Sequence, residues 1–206
     1  MSFIKICGLT SAAAVEAAQA AQADAIGFVF AHSPRQLTPA DAARLAAPVR
    51  GRLAIVAVTR QPTQTQLEAI LEELAPDVLQ SDLTDLAQLR LPRTLALLPV
   101  LREHQVQPAM LPPRVLFEGA ASGAGVTCDW SSARALAART QLVLAGGLSA
   151  TTVAAAVAAA RPFGVDVSSG VEERPGVKSP QKIERFVAAA RAALRTLAQP
   201  CREVPP

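Results

Sequence analysis

The 206-residue sequence contains no tyrosine, one tryptophan and six phenylalanines, so aromatic side chains make up only 3% of it. It therefore lacks rings for stacking on bases. Its 20 Lys and Arg residues, against 17 Asp and Glu, are scattered rather than clustered. Together these features exclude a nucleic-acid footprint, while the net charge of +3 remains compatible with small anionic ligands. The three cysteines, Cys7, Cys128 and Cys201, are widely separated and form no C-x-x-C pair. That excludes a disulfide framework or zinc motif and fits a reduced, cytoplasmic setting. His32 and His104 have no companions at ligand spacing, so no metal site is expected. The most membrane-like stretch, residues 150–160, is too short to span a bilayer. No basic segment followed by an apolar run opens the chain, and no signal peptide is expected.

What is present is a regular alternation. Half of the residues are hydrophobic, enough for one core of full size. Strand-like apolar runs are expected at 3–7, 25–30, 53–58, 78–80, 94–100, 114–118, 142–145 and 163–167. Helical stretches lie between most of them, introduced by caps such as Thr38-Pro39 and Ser179-Pro180. Pro108, Pro112 and Pro113 leave little room for a helix between the fifth and sixth runs, and the fourth helix is expected near residues 84–89. A strand and helix repeated at roughly twenty- to thirty-residue spacing is the pattern of a (β/α)8 TIM barrel, here with an irregular or shortened fifth helix. A doubly wound open sheet is the second choice, disfavoured because no G-x-G-x-x-G follows the first run. Residues 1–199 are expected to form a single barrel domain and 200–206 a proline-rich tail.

In such a barrel, chemistry sits at the C-terminal ends of the strands, and phosphate is commonly held after strands seven and eight. Gly146-Gly147, with Ser149 capping the next helix, lets backbone N–H groups approach an anion. Ser168-Ser169-Gly170 adds hydroxyl and backbone donors beside it. In the first strand, side-chain alternation puts Phe3, Lys5 and Cys7 inward and Ile4 and Ile6 outward. Lys5 either lowers the pKa of the Cys7 thiol or pairs with inward Asp166 or Glu118, and the carboxylates favour the pairing. Asp129 follows a glycine-rich loop at 119–127 and fits an N-cap or a site carboxyl. Arg35, in the proline-stiffened loop after the second strand, suits a substrate carboxylate at the rim.

Six segments in order, K-I-C-G-L-T at 5–10, D-A-I-G-F-V-F at 24–30, S-P-R at 33–35, D-W at 129–130, G-G-L at 146–148 and V-D-V-S-S-G-V-E at 165–172, resemble phosphoribosylanthranilate isomerases of tryptophan biosynthesis. The resemblance implies a cofactor-free barrel that performs an Amadori rearrangement of a phosphorylated substrate. It makes Cys7 the general base and Asp129 the general acid. It also places Arg35 at the anthranilate carboxylate and Gly146, Gly147, Ser168, Ser169 and Gly170 at the phosphate. An acid must carry a proton, so Asp129 is expected to have a raised pKa, and Cys7 to be a usable base near neutral pH. The chain departs from the family's pattern after strand four, where Gln80-Ser81-Asp82 lacks the usual histidine. It departs again at Glu118 in place of Asp, at Val126 in place of Lys and at Cys128 in place of Phe. A monomer without membrane or nucleic-acid partners is expected. The alternatives are another phosphosugar isomerase or epimerase on the same barrel, and a non-catalytic phosphate-ligand binder.

Overall fold

The computed structural model describes residues 3–105, 108–119 and 129–198. Eight strands pair in chain order, β1 through β8, and close a barrel in which every pairing is parallel. They are β1 (Phe3–Cys7), β2 (Ala25–Val29), β3 (Ala54–Val58), β4 (Val78–Asp82), β5 (Ala96–Arg102), β6 (Arg114–Glu118), β7 (Gln141–Leu144) and β8 (Gly164–Val167). The helices are α1 (Ala12–Ala20), α2 (Pro39–Ala46), α3 (Gln64–Leu74), α4 (Leu83–Leu86), α5 (Trp130–Ala137), α6 (Val153–Ala160) and α7 (Pro180–Ala198). The (β/α)8 expectation holds, and no helix lies between β5 and β6 among the described residues. The fourth helix has only four residues. A short hairpin, β9 (Glu172–Arg174) and β10 (Val177–Lys178), follows β8 and was not expected from the sequence.

Local chemistry explains where the helices begin. The Ser11 hydroxyl accepts the Ala14 N–H at 3.4 Å, and Thr38 caps α2 with Pro39 in its first turn. Thr63 and Gln66 form a reciprocal capping box at the start of α3. Outward strand residues such as Ile4, Ile6, Phe28, Ile55 and Phe117 are fully or almost fully buried beneath the helices. A second cluster, Leu98, Val100, Leu116, Val143 and Ala145, forms the apolar filling against Phe3, Val78 and Phe163. Phe3 and Phe163 stack with centroids 6.3 Å apart, and the Arg114 guanidinium lies 4.6 Å from the Phe163 centroid.

Barrel closure depends on a close approach between β1 and β8. A Cβ on Gly164 would stand 2.4 Å from the Phe3 carbonyl oxygen, and backbone cannot move aside there without opening the seam. Gly164→Ala should therefore lower stability by at least the upper part of the overpacking range, about 1–3 kcal/mol. Urea unfolding followed by circular dichroism measures this, and an unchanged midpoint would contradict the closure described.

Candidate active site

The site begins inside the barrel, on β1. Lys5 is completely buried, and its Nζ donates to Asp166 Oδ1 on β8 at 2.9 Å. Strand register puts the two residues side by side. An ammonium with no access to water needs such a partner, so the pairing expected from inward alternation is present. Burial works against the Lys5 charge, but Asp166 and the neighbouring Cys7 outweigh it and hold the ammonium above its ordinary value of 10.5. Gly27 on β2 makes the room: a Cβ there would lie 3.1 Å from both Cys7 Sγ and Lys5 Cε.

Cys7 ends β1 and lines a mouth pocket of about 420 Å³. It is 7% exposed, and burial pushes its thiol above the ordinary value of 9.0; the Asp166 charge adds to the rise, while Lys5 and Lys178 oppose it. Lys5 thus takes both of the roles considered for it, as structural partner of Asp166 and as a cation beside the sulfur. The net effect corrects the expectation of a base poised near neutrality. In the ligand-free protein Cys7 is a thiol at neutral pH.

Beside Cys7, the loops after β7 and β8 touch. Gly146 and Gly147 have φ of 92° and 63°, a left-handed turn that favours glycine. Ser149 and Thr152 then cap the entry to α6 reciprocally, with Thr152 N–H to Ser149 Oγ at 3.3 Å and Ser149 N–H to Thr152 Oγ1 at 2.9 Å. A Cβ on Gly170 would sit 1.9 Å from the Leu148 carbonyl oxygen, so the two loops meet with no space for any side chain. The hairpin after β8 then adds a cation that sequence reading missed. Lys178, almost wholly buried, donates to the Ser168 carbonyl at 2.9 Å, to Ser168 Oγ at 3.1 Å and to Glu172 Oε1 at 2.7 Å. Burial pushes Lys178 below its ordinary value even though the Glu172 carboxylate supports its charge.

Arg35 is brought to this cluster rather than left to solvent. Its Nε and Nη2 donate to the two Glu172 oxygens at 2.6 and 2.8 Å, a bidentate pair, and its side chain lines the pocket. Burial works to raise the Glu172 pKa, but the bonds from Arg35 and Lys178 outweigh it and hold the carboxyl below its usual range. Two cations here share one carboxylate, which leaves the cluster with a net positive charge beside the glycine loops.

The wall formed by β4, β5 and β6 has the opposite balance. Arg102, at the end of β5, is 8% exposed and lies between two carboxylates. It donates to Asp82 Oδ1 at 2.7 Å and to Glu118 Oε1 at 2.5 Å, and all three residues line the pocket with Cys7. Gln80 also lines the pocket, and its Oε1 is buried with no hydrogen-bond partner among the described residues. Such an orphan acceptor in a cavity suits a ligand hydroxyl.

Asp129 is elsewhere in character. It is exposed and caps α5, its carboxylate accepting the Ser131 and Ser132 N–H groups at 3.0 and 3.2 Å and both hydroxyls at 2.7–2.8 Å. Those hydrogen bonds, from the Ser131 and Ser132 hydroxyls first, hold its pKa far below the usual carboxylate range. In the ligand-free protein these capping bonds favour the carboxylate. Cys128, Val126, Cys201 and the tail at 200–206 lie outside the described residues, as does most of the glycine-rich loop.

A closed parallel barrel whose mouth combines a cationic, glycine-lined cradle with a thiol and carboxyls defines a class: (β/α)8 barrels equipped for proton transfer on an anionic ligand. A family model described as N-(5'-phosphoribosyl)anthranilate isomerase matches residues 4–189. The isomerase of that name from Rhodopseudomonas palustris (strain BisA53) is 39% identical, with 93% of this chain and 97% of the relative covered. Among solved structures, the phosphoribosyl anthranilate isomerase of Thermus thermophilus superposes with a TM-score of 0.80 at 26% identity, covering 92% of this chain and 98% of that one. Another isomerase, solved with reduced 1-(O-carboxyphenylamino)-1-deoxyribulose 5-phosphate, has a TM-score of 0.76 and 27% identity over 93% of this chain and 100% of that one. The chain belongs to the N-(5'-phosphoribosyl)anthranilate isomerase family.

The electrostatics of Cys7 make a direct prediction. In a variant lacking Cys128 and Cys201, thiolate absorbance at 240 nm should rise with a midpoint above 9.0, because the buried thiol resists ionisation. Asp166→Asn removes the negative charge that raises this pKa and should lower the midpoint. A wild-type midpoint below 8, or an upward shift in the variant, would contradict the arrangement.

Proposed function

We propose that the protein isomerises N-(5'-phosphoribosyl)anthranilate to 1-(2-carboxyphenylamino)-1-deoxyribulose 5-phosphate, a step of L-tryptophan biosynthesis. Family membership supports the reaction, and the observation that carries the mechanism is Cys7 in the mouth pocket beside the cationic cradle. The phosphate sits against the Gly146-Gly147 and Ser168-Ser169-Gly170 loops, drawn by the net positive Arg35, Glu172 and Lys178 cluster. Arg35 is shared between Glu172 and the anthranilate carboxylate.

The acid and base act in turn. A carboxyl proton goes to the ribose ring oxygen, the C1–O bond breaks, and the anthranilate nitrogen lone pair forms the Schiff base. The Cys7 thiolate then removes the C2 proton, and the C–H electron pair moves to give an enolamine, which tautomerises to the ketone with a proton added at C1. The acid is Asp129, at the N-terminus of α5, the residue that matches the family's D-W motif. Its capping bonds favour the carboxylate in the ligand-free protein, and the phosphate dianion of the bound substrate raises its pKa toward the protonated form. Thiolate is a minor species at neutral pH, but a base of high pKa abstracts a carbon-bound proton more readily per molecule.

Loss of substrate fluorescence with purified protein tests the reading. Cys7→Ala and Asp129→Asn should each lose about 10²- to 10⁴-fold in kcat, with inorganic phosphate still competing for the free site. Absence of turnover by folded wild-type protein would sink the function. Full activity in Cys7→Ala would sink the mechanism.

A further inference from the structure

The hairpin after β8 carries two charges that stand behind the mouth pocket rather than in it. Glu172 and Lys178 are paired across β9 and β10, with side chains 5% and 0% exposed. Arg35 and Ser168 line the pocket, whereas neither Glu172 nor Lys178 is among its lining residues. Glu172 holds the lysine from one side. Its Oε1 accepts from Lys178 Nζ at 2.7 Å, and Arg35 closes on the same carboxylate through Nε and Nη2. On the other side Lys178 reaches Ser168 twice, donating to the carbonyl at 2.9 Å and to the hydroxyl oxygen at 3.1 Å.

An ammonium has three N–H donors and no acceptor. Those of Lys178 meet one oxygen of Glu172 and two of Ser168, so none is left over for a ligand. The Ser168 hydroxyl oxygen is therefore an acceptor toward the lysine, and its own proton turns elsewhere. The carbonyl contact acts on the backbone in the same way. C=O and N–H point in opposite directions across a trans peptide, so holding the Ser168 carbonyl turns the Ser169 N–H away from the lysine. We infer that Lys178 is a positioning residue for the phosphate: anchored by Glu172, it fixes Ser168 so that the hydroxyl proton and the Ser169 N–H both face the anion. The inference rests on the reading of the loop after β8 as part of the phosphate grip. Without the lysine the hydroxyl regains its rotation, and the loop loses donors that were fixed before the ligand arrived.

The hairpin is itself held firmly enough to serve as such a post. A Cβ on Gly176, in its turn, would lie 2.5 Å from the Pro34 carbonyl oxygen, and the Gly176 carbonyl accepts the Thr10 hydroxyl at 2.7 Å. Lys182, from the first turns of α7, donates to the Glu172 carbonyl at 2.6 Å. Ser168 is confined from the opposite side, since a Cβ on Gly8 would lie 3.2 Å from its Oγ and 2.6 Å from Arg35 Cδ. The loops after β1 and β2 thus pack against the same group of side chains that Lys178 and Glu172 join.

Steady-state turnover and its inhibition by inorganic phosphate, measured on the full chain with circular dichroism to verify folding, test this through Ser168→Ala, Lys178→Met and the double variant. Removing Lys178 leaves Glu172 paired with Arg35, so no lone charge is buried. A hydrogen bond to a charged group contributes about 10- to 100-fold in binding, and Ser168→Ala should raise KM and the phosphate inhibition constant together by that factor. Lys178→Met should raise both at least as far, because it releases two donors, with kcat the less affected parameter. Adding Ser168→Ala to Lys178→Met should cost nothing further, since the hydroxyl is no longer aimed. If Lys178→Met does not fold, Lys178→Gln makes the same comparison. Losses that multiply in the double variant, or wild-type phosphate inhibition in Lys178→Met, would overturn the inference while a weakened Ser168→Ala left the phosphate reading standing. Wild-type phosphate inhibition in Ser168→Ala would overturn both.

Discussion

The buried ion pair between Lys5 and Asp166 is the constraint on which the rest of the mouth depends. An ammonium at 0% exposure must be paired, and its partner lies on the strand that closes the barrel against β1. The pair therefore ties the seam, fills the space left by Gly27 and sets the charge beneath Cys7. Breaking it from one side would leave an uncompensated charge in the barrel interior, which is far more costly than never having placed the pair there.

The mouth can be understood as three clusters that differ in charge count. Under Cys7, one cation meets one anion, so the sulfur feels little net field and burial dominates its pKa. At the hairpin after β8, Arg35 and Lys178 share Glu172, and the surplus is positive on the side where the glycine loops offer backbone donors. Across the barrel, Arg102 is shared by Asp82 and Glu118, and the surplus within that cluster is negative. The positive surplus suits the phosphate of the substrate proposed for the site.

Much of this was legible in the sequence. Strict alternation in Phe3–Cys7 gives an inward lysine and thiol, and inward Asp166 on the last strand makes their partner foreseeable. Glycine pairs and serines after the seventh and eighth runs mark the loops that meet at the mouth. Two features were not legible, each for a physical reason. Arg102 lies past the end of the apolar run at 94–100, and only pairing with Glu118 keeps the strand going that far. Lys178 reaches Ser168 and Glu172 because a two-stranded hairpin turns the chain back, a fold with no apolar pattern of its own.

The central claim is that Cys7 removes the C2 proton. Single-turnover kinetics with substrate deuterated at C2 tests it most directly. Wild-type protein should show a phase slowed by a primary isotope effect, and Cys7→Ala should lack that phase while retaining bound substrate. Survival of the same isotope-sensitive phase in Cys7→Ala would contradict the account.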